Sequence, residues 1–252
     1  MSLEVAYLFL IIPSFLTATI DIIFGMGFGL TMTPILLLLG YAPHQIVPAL
    51  LFSSMVGNLI SPFFHQKFKN ADFRLCSQHF NMSMLIGIIG VVGSFIGASI
   101  SLGISDFYLG LYIGLLIVSL GLFLLVNRKF RARFSWIKLA LLILFGAFNK
   151  GISGSGFGPV VTTAMITMNT NEKAAVSIQT FSELFVSIAG FLTFVMAGSY
   201  ISWDLLLPIS IGVLLSAPLA AFVVHKVENR KLRSAIAAVT VILGVLTLLS
   251  LF

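Results

Sequence analysis

The sequence predicts an all-α polytopic membrane protein made of two inverted-topology repeats, each a glycine-broken helical hairpin followed by three transmembrane helices. Three observations carry this reading. Of 252 residues, 59% are apolar and only 9% charged, with a mean hydropathy of +1.12; soluble domains carry roughly 25% charged residues. Two long apolar stretches, each interrupted by glycines, are copies of one another. The basic residues gather in three loops. Such a chain cannot cover a soluble surface and is too apolar to stay disordered. Cys76 is its single cysteine, so no intrachain disulfide staples it.

In chain order, Met1–Leu10 has Glu4 where a signal peptide would have a positive start, so the first apolar stretch reads as retained. That stretch, Leu3–Leu39, is too long for one upright helix and breaks at Gly25-Met-Gly-Phe-Gly29. Three plain spans follow, Ile46–Phe64, Met82–Leu102 and Phe107–Val126. Each meets the need for about 20 apolar residues to cross a core roughly 30 Å thick. The second broken stretch, Leu139–Met168, breaks at Gly154-Ser-Gly-Phe-Gly158, and three more spans come after it: Ala174–Ala197, Leu205–Val224 and Ser234–Phe252. Of the six spans only Ala174–Ala197 contains a charge, Glu183. Past either break about ten apolar residues remain, about 15 Å of helix, which is half a membrane. Each broken stretch therefore reads as a helix, a glycine break and a short arm that turns back, either re-entrant or fully crossing. Pro159 suits the first position of a new helix, where its missing N–H costs nothing. Pro34 either kinks the first short arm or marks a later start for it.

A shift of 129 residues lays Leu16–Ser53 on Phe145–Ser182, with ten identities in 38 positions, including the aligned G-x-G-F-G and a later Phe-Ser pair, Phe52-Ser53 on Phe181-Ser182. The chain thus divides into a first repeat at 1–127, a basic linker at 128–138 and a second repeat at 139–252, forming one membrane domain. Twelve of the fourteen Lys and Arg lie in loops 65–74, 127–138 and 225–233, whereas Gly40–Gln45, Gly103–Asp106 and Gly198–Asp204 have none. Cytoplasmic loops are enriched in Lys and Arg, so the three basic loops are expected in the cytoplasm and both termini outside, in a multi-pass inner membrane. Equivalent loops of the two halves then face opposite ways. The net charge of +6 is accounted for by topology and calls for no nucleic-acid partner.

Inverted repeats with broken helices are a recurring plan of secondary transporters. A helix that starts at a glycine break presents backbone N–H groups at a positive dipole end, which attracts anions. The predicted substrate site is therefore Gly25, Gly27 and Gly29 facing Gly154, Gly156 and Gly158, with the hydroxyls of Thr31, Thr33, Ser53, Ser155, Thr162 and Ser182 and the ammonium of Lys150. Ser153 and Thr163 are nearby hydroxyls, and Asn58, Gln179 and Ser187 extend a polar stripe on the helix after each hairpin. The competing reading makes the glycines close-packing points and the polar side chains interhelical bonds.

Asp21, Lys150 and Glu183 are charges within apolar stretches, each costing roughly 2.5–3.5 kcal/mol at mid-bilayer if unpaired. Asp21 and Lys150 occupy equivalent positions and are expected to pair, either as a structural tie or as part of the site; Asp21 or Glu183 is the candidate proton carrier, with Glu183 favoured. His44, His65, His79 and His225 lack metal spacing, and His65 and His79 read as headgroup-level residues. No metal, cofactor or nucleophile–base set is expected, and hence no enzyme. The partners expected are a small anionic solute, lipid and protons; the sequence sets no oligomeric state. An anion-selective channel using the same hairpins as a pore is the second class.

The segment TATIDIIFGMGFGLTMTP from Thr17 to Pro34, with GAFNKGISGSGFGP from Gly146 to Pro159, resembles the TauE/SafE family, the sulfite exporters. The aromatics Phe73 and Trp203 after the helices following the hairpins fit the same layout. The resemblance implies a transporter of sulfite, sulfoacetate, thiosulfate-like or other small organic anions. Phe28 and Phe157 stand where the family often has glycine, and Lys150 departs from its pattern.

Overall fold

A computed structural model of the chain describes residues 3–25, 28–126, 135–167, 169–226, 241–242 and 245–249. The described residues form helices joined by short turns, with no strand among them: α1 (Leu3–Phe24), α2 (Phe28–Leu38), α3 (Pro43–Lys67), α4 (Gln78–Ser101), α5 (Asp106–Val126), α6 (Trp136–Ser153), α7 (Phe157–Thr167), α8 (Glu172–Met196) and α9 (Trp203–Lys226). Five predicted spans correspond to α3, α4, α5, α8 and α9. Among the described residues, the sixth helix long and apolar enough to cross a membrane is α6, the first arm of the second hairpin. Of the predicted span Ser234–Phe252 only 241–242 and 245–249 are described, and they are helical; Leu248 there packs on Gly114 of α5. Residues 127–134 of the basic linker and 227–233 of the third basic loop lie outside the described residues, as does Gly27.

Both breaks form as the glycines dictate. Gly25 (φ +63°) and Gly154 (φ +72°) take the left-handed conformation that ends α1 and α6. Their N–H groups close on the Asp21 and Lys150 carbonyls at 2.6 and 2.9 Å. A Cβ disfavours that conformation, and glycine has none. The short arms α2 and α7 have 11 residues each. Pro34 lies inside α2, so the first arm starts at Phe28 rather than beyond the proline. Pro159 is the third residue of α7 rather than the first, still in the turn whose N–H groups have no helical partner. Two of the longer helices carry side-chain caps: Ser77 Oγ accepts from the Phe80 N–H in α4, and Asn171 Oδ1 accepts from the Lys173 N–H in α8.

The apolar cores exchange helices between the halves. One core joins α1, α2 and α3 with α9; another joins α6, α7 and α8 with α4. Under the 129-residue shift these are the same set, so the fourth helix of each half packs into the other half. The ring contacts repeat the pattern: Phe52 meets Trp203 at 6.4 Å, and its equivalent Phe181 meets Phe73 at 5.1 Å.

Small residues allow the closest crossing. A Cβ on Gly151 of α6 would lie 2.1 Å from the Ser94 carbonyl oxygen of α4, and one on Gly97 of α4 2.2 Å from the Phe148 carbonyl oxygen of α6. Backbone cannot retreat as a side-chain tip can. Gly151→Ala is expected to cost about 1–3 kcal/mol of stability, whereas Gly103→Ala, whose added Cβ meets only the Ile100 carbonyl at 3.7 Å, should be near neutral. Thermal unfolding in detergent separates the two.

The turns sort to two ends of the bundle. At one end Lys173 Nζ donates to the His225 carbonyl at 2.7 Å and Asn70 Nδ2 to the Ala221 carbonyl at 2.9 Å, gathering the 68–77 turn, the start of α8 and the end of α9. At the other, His44 Nδ1 lies 2.6 Å from Asp106 Oδ1 and its Nε2 3.1 Å from the Ser101 carbonyl. There the α3 start meets the α4–α5 turn. On the exposed 68–77 turn, Arg74 forks onto Asp72 and pulls its carboxyl from the ordinary 3.8 to about 2. A depressed carboxylate stabilises at and above its ordinary range, and that contribution is lost as pH falls through about 2.

Candidate functional site between the glycine breaks

The two breaks abut. A Cβ on Gly29 would lie 2.5 Å from the Gly154 carbonyl oxygen and from Ser155 Cβ; one on Gly158 would lie 2.7 Å from the Gly25 carbonyl oxygen. Gly29 and Gly158 are equivalent positions, as are Gly25 and Gly154, so the contact is reciprocal: the first turn of each short arm sits against the left-handed glycine of the other hairpin. Thr162 Oγ1 adds a hydrogen bond to the Gly25 carbonyl at 3.2 Å. Its equivalent, Thr33, is fully buried, and its hydroxyl has no partner among the described residues. Thr31 Oγ1 turns back to the Phe28 carbonyl at 3.4 Å, while Thr163 is buried beside Thr162 on α7. Ser155 Oγ meets Ser153 Oγ at 3.0 Å. A Cβ on Gly156 (φ +97°) would lie 3.0 Å from Asn149 Cβ and 3.4 Å from Leu120 Cδ1.

Next to the breaks lies a buried charge cluster. Lys150 Nζ is 2.7 Å from Glu183 Oε1 and donates to Ser54 Oγ at 2.8 Å. Gln179 Nε2 donates to the other carboxylate oxygen, Oε2, at 2.7 Å. Lys150 is 2% exposed and Glu183 5%. Burial this complete, with an opposite charge at hydrogen-bond distance, defines a desolvated pair, whose members cannot be removed singly without stranding a charge.

The expected Asp21–Lys150 pair is therefore not the one that forms; Lys150 bonds Glu183. Two causes are visible. The Asp21 carboxylate accepts the backbone N–H of Phe28, at the N-terminus of α2, where a negative charge is favoured. The lysine side chain reaches across to α3 and α8, to Ser54 and Glu183, which are themselves equivalent positions. Asp21 still feels both charges, attracted by Lys150 and repelled by Glu183.

Other predicted residues have different neighbours. Ser53 Oγ pairs with Ser210 Oγ of α9 at 2.9 Å, and Ser182 Oγ donates to the Ser83 carbonyl of α4 at 3.1 Å or to Ile178 of its own helix at 2.7 Å. The Ser53–Ser210 and Ser182–Ser83 bonds tie helices together. His65, read as a headgroup-level residue, is instead wholly buried between helix ends. His79 Nδ1 accepts the Asp72 N–H at 2.9 Å. Sequence reading passed over Ser54 as a ligand of Lys150, although its alignment with Glu183 marked the position. It also passed over Asn149, whose amide carbonyl accepts the Tyr112 hydroxyl.

The profile of the sulfite exporter TauE/SafE proteins matches residues 10–247. The chain belongs to that family. Relatives along this TauE/SafE chain are transporters by name. The "Probable membrane transporter protein MJ0441" of Methanocaldococcus jannaschii is 26% identical, over 95% of this chain and 94% of its own length. The "Probable membrane transporter protein YtnM" of Bacillus subtilis is 23% identical, over 93% of this chain and 80% of its own length. No solved structure matches the chain. This TauE/SafE protein is thus a multi-pass membrane protein of a transporter family, and its abutting breaks with the adjacent Lys150–Glu183 pair are the features a transport reading must use.

Proposed function

We propose that the protein is a secondary transporter for a small anion, a sulfur oxyanion or organosulfonate, working by alternating access of two inverted repeats across the inner membrane. The observation that carries the reading is the buried Lys150 beside the two abutting glycine breaks, held by Glu183 at 2.7 Å. The exchanged packing of α4 and α9 supports two inverted halves, since each half then needs the other to complete its core.

The anion takes the ammonium of Lys150 and the hydroxyls of Ser54, Ser153 and Ser155, near the N-terminus of α7. The α2 terminus already has a carboxylate of its own, Asp21, which makes the α7 side the acceptor of the incoming charge. Lys150 can receive an anion only if Glu183 gives it up. Two carboxylates and one ammonium already leave a formal charge of −1, and each further buried anion costs several kcal/mol unless it is compensated. A proton on Glu183 meets both requirements, so anion and proton move together.

The test is uptake of labelled sulfite, thiosulfate, sulfonates and carboxylates into proteoliposomes. Saturation, counterflow and acceleration by an inward proton gradient for at least one sulfur anion are expected. Linear, non-saturating flux would make the protein a channel, and selective flux of cations or neutral solutes would sink the anion reading. The basic turns are assigned to the cytoplasm. In right-side-out cells Cys76, exposed at the basic end, should then resist an impermeant thiol reagent that labels a cysteine placed at Ser199. The reverse pattern overturns that orientation.

A further inference from the structure

One face of α3 is polar along its second half. Ser54, Asn58, Ser61 and His65 follow one another at spacings of four, three and four, so they share one side of the helix. All four are buried. The row begins at Ser54, on Lys150, and ends at His65, in the end of the bundle where the basic turns gather.

At that end a small set of bonds holds α3, α8 and α9 together. Asn70 Nδ2 donates to the Ala221 carbonyl of α9 at 2.9 Å and lies 3.1 Å from His65 Nδ1; Ser177 Oγ of α8 lies 3.0 Å from the same nitrogen and 2.7 Å from the Lys173 carbonyl of its own helix, with one proton to give to either. A carbonyl only accepts, so its partner on Asn70 is the NH2 group. His65 Nδ1 is then an acceptor, and the neutral ring carries its proton on Nε2. That N–H has no partner among the described residues, nor do Asn70 Oδ1 and Ser61 Oγ. Buried polar atoms in native proteins are nearly all hydrogen-bonded, and each exception requires a cause. Three exceptions in one patch, a donor, an acceptor and a hydroxyl, are what a closed hydrophilic route would leave behind.

The duplication supplies an internal control. The equivalents of Ser54, Asn58, Ser61 and His65 on α8 are Glu183, Ser187, Gly190 and Phe194. That row begins with a charge, has one unpartnered hydroxyl among the described residues at Ser187, and ends in glycine and a fully buried phenylalanine. From the charge cluster, polar side chains therefore continue to the basic end along α3 but stop short of the opposite end along α8.

We infer that the Asn58–Ser61–His65 face of α3 lines the solute's route between the charge cluster and the basic end, and that the Asn70–His65–Ser177 contacts form the gate that closes it. This rests on the transport reading. When α3 parts from α8 and α9 at this end, His65 Nε2, Asn70 Oδ1 and Ser61 Oγ meet water and solute. Lys173 on α8, Lys226 on α9 and Lys67 on α3 supply positive charge at this end.

The test uses purified full-length protein with Cys76→Ser, carrying either Ser61→Cys or, as the equivalent-face control, Ser187→Cys. The probe is 2-sulfonatoethyl methanethiosulfonate, a small sulfonate that modifies thiols in water. Adding Asn70→Ala removes the two closing bonds and is expected to speed modification at Ser61→Cys by about tenfold, leaving Ser187→Cys unchanged. His65→Phe, which installs the residue of the second half, should slow it. If Asn70→Ala compromises folding, Ser177→Ala removes one closing contact and should act in the same direction with a smaller factor. An unreactive Ser61→Cys in every background, or equal acceleration at both cysteines, overturns the route. Labelling needs no transported substrate. Absence of anion flux with the labelling pattern intact would thus refute transport and leave the route standing; flux with an inert Ser61→Cys would do the reverse.

Discussion

Lys150→Met is expected to destabilise the protein by about 3–5 kcal/mol, the cost of breaking a buried ion pair from one side. The lost Coulombic contact is the smaller part of that figure. With the ammonium gone, Glu183 keeps one hydrogen bond from Gln179 and Asp21 keeps the Phe28 N–H, but two carboxylates face each other across an apolar interior. Glu183→Met strands Lys150 in the same way, with Ser54 as its remaining bonded partner among the described side chains. Removing both partners removes the cause, so Lys150→Met with Glu183→Met should recover most of the stability lost in either single variant. Thermal or denaturant unfolding of the four proteins measures this as a coupling energy. If the double variant is as unstable as the sum of the singles, the pair is not what holds these helices. Transport separates further: the double variant folds but has no ammonium for the anion, so uptake should stay absent although the protein is intact.

Sequence patterning made most of the fold legible because the dominant forces here have simple signatures. Length and apolarity select spans, and glycine pairs with left-handed conformations end helices, so α2 and α7 appear at the predicted places with the predicted short lengths. The exchange of α4 and α9 between the halves was not legible. It depends on which apolar faces meet, and in helices apolar all round no stripe singles out a partner. Gly90, Gly93 and Gly97 of α4 admit the close neighbours seen in the structure, but glycine spacing names no partner helix.

The site was legible in its parts and not in its pairings. Asp21, Lys150 and Glu183 stand out in any apolar chain. Their partners depend on side-chain reach: a lysine spans from α6 to α3 and α8, while an aspartate caps the helix that follows it. His65 shows the reverse failure. It falls at the end of a span beside a basic turn, where histidines commonly meet headgroups, and only the return of Asn70 and the approach of Ser177 bury it. Burial by a neighbour distant in sequence leaves no local trace.

Gly158→Val is expected to prevent assembly of the two hairpins, with a cost of at least about 1–3 kcal/mol and loss of transport. An added Cβ would sit 2.7 Å from the Gly25 carbonyl oxygen and 3.5 Å from Gln179 Nε2. The first contact is with backbone fixed in the left-handed conformation that ends α1, so it cannot swing aside. The second disturbs the amide that holds Glu183. Gly29→Val meets the reciprocal obstacle at the Gly154 carbonyl and should behave alike. Thr162 offers the contrast, because the atoms around Gly25 that a Cβ would strike belong to its side chain. Thr162→Ala opens space there and loses one hydrogen bond to the Gly25 carbonyl, about 1 kcal/mol. It should therefore fold. Yield of monodisperse protein and anion uptake, measured together, check the ranking: Gly158→Val and Gly29→Val lost in both, Thr162→Ala retained in the first. A Gly158→Val protein that folds and transports normally would mean that the hairpins do not abut in the working molecule.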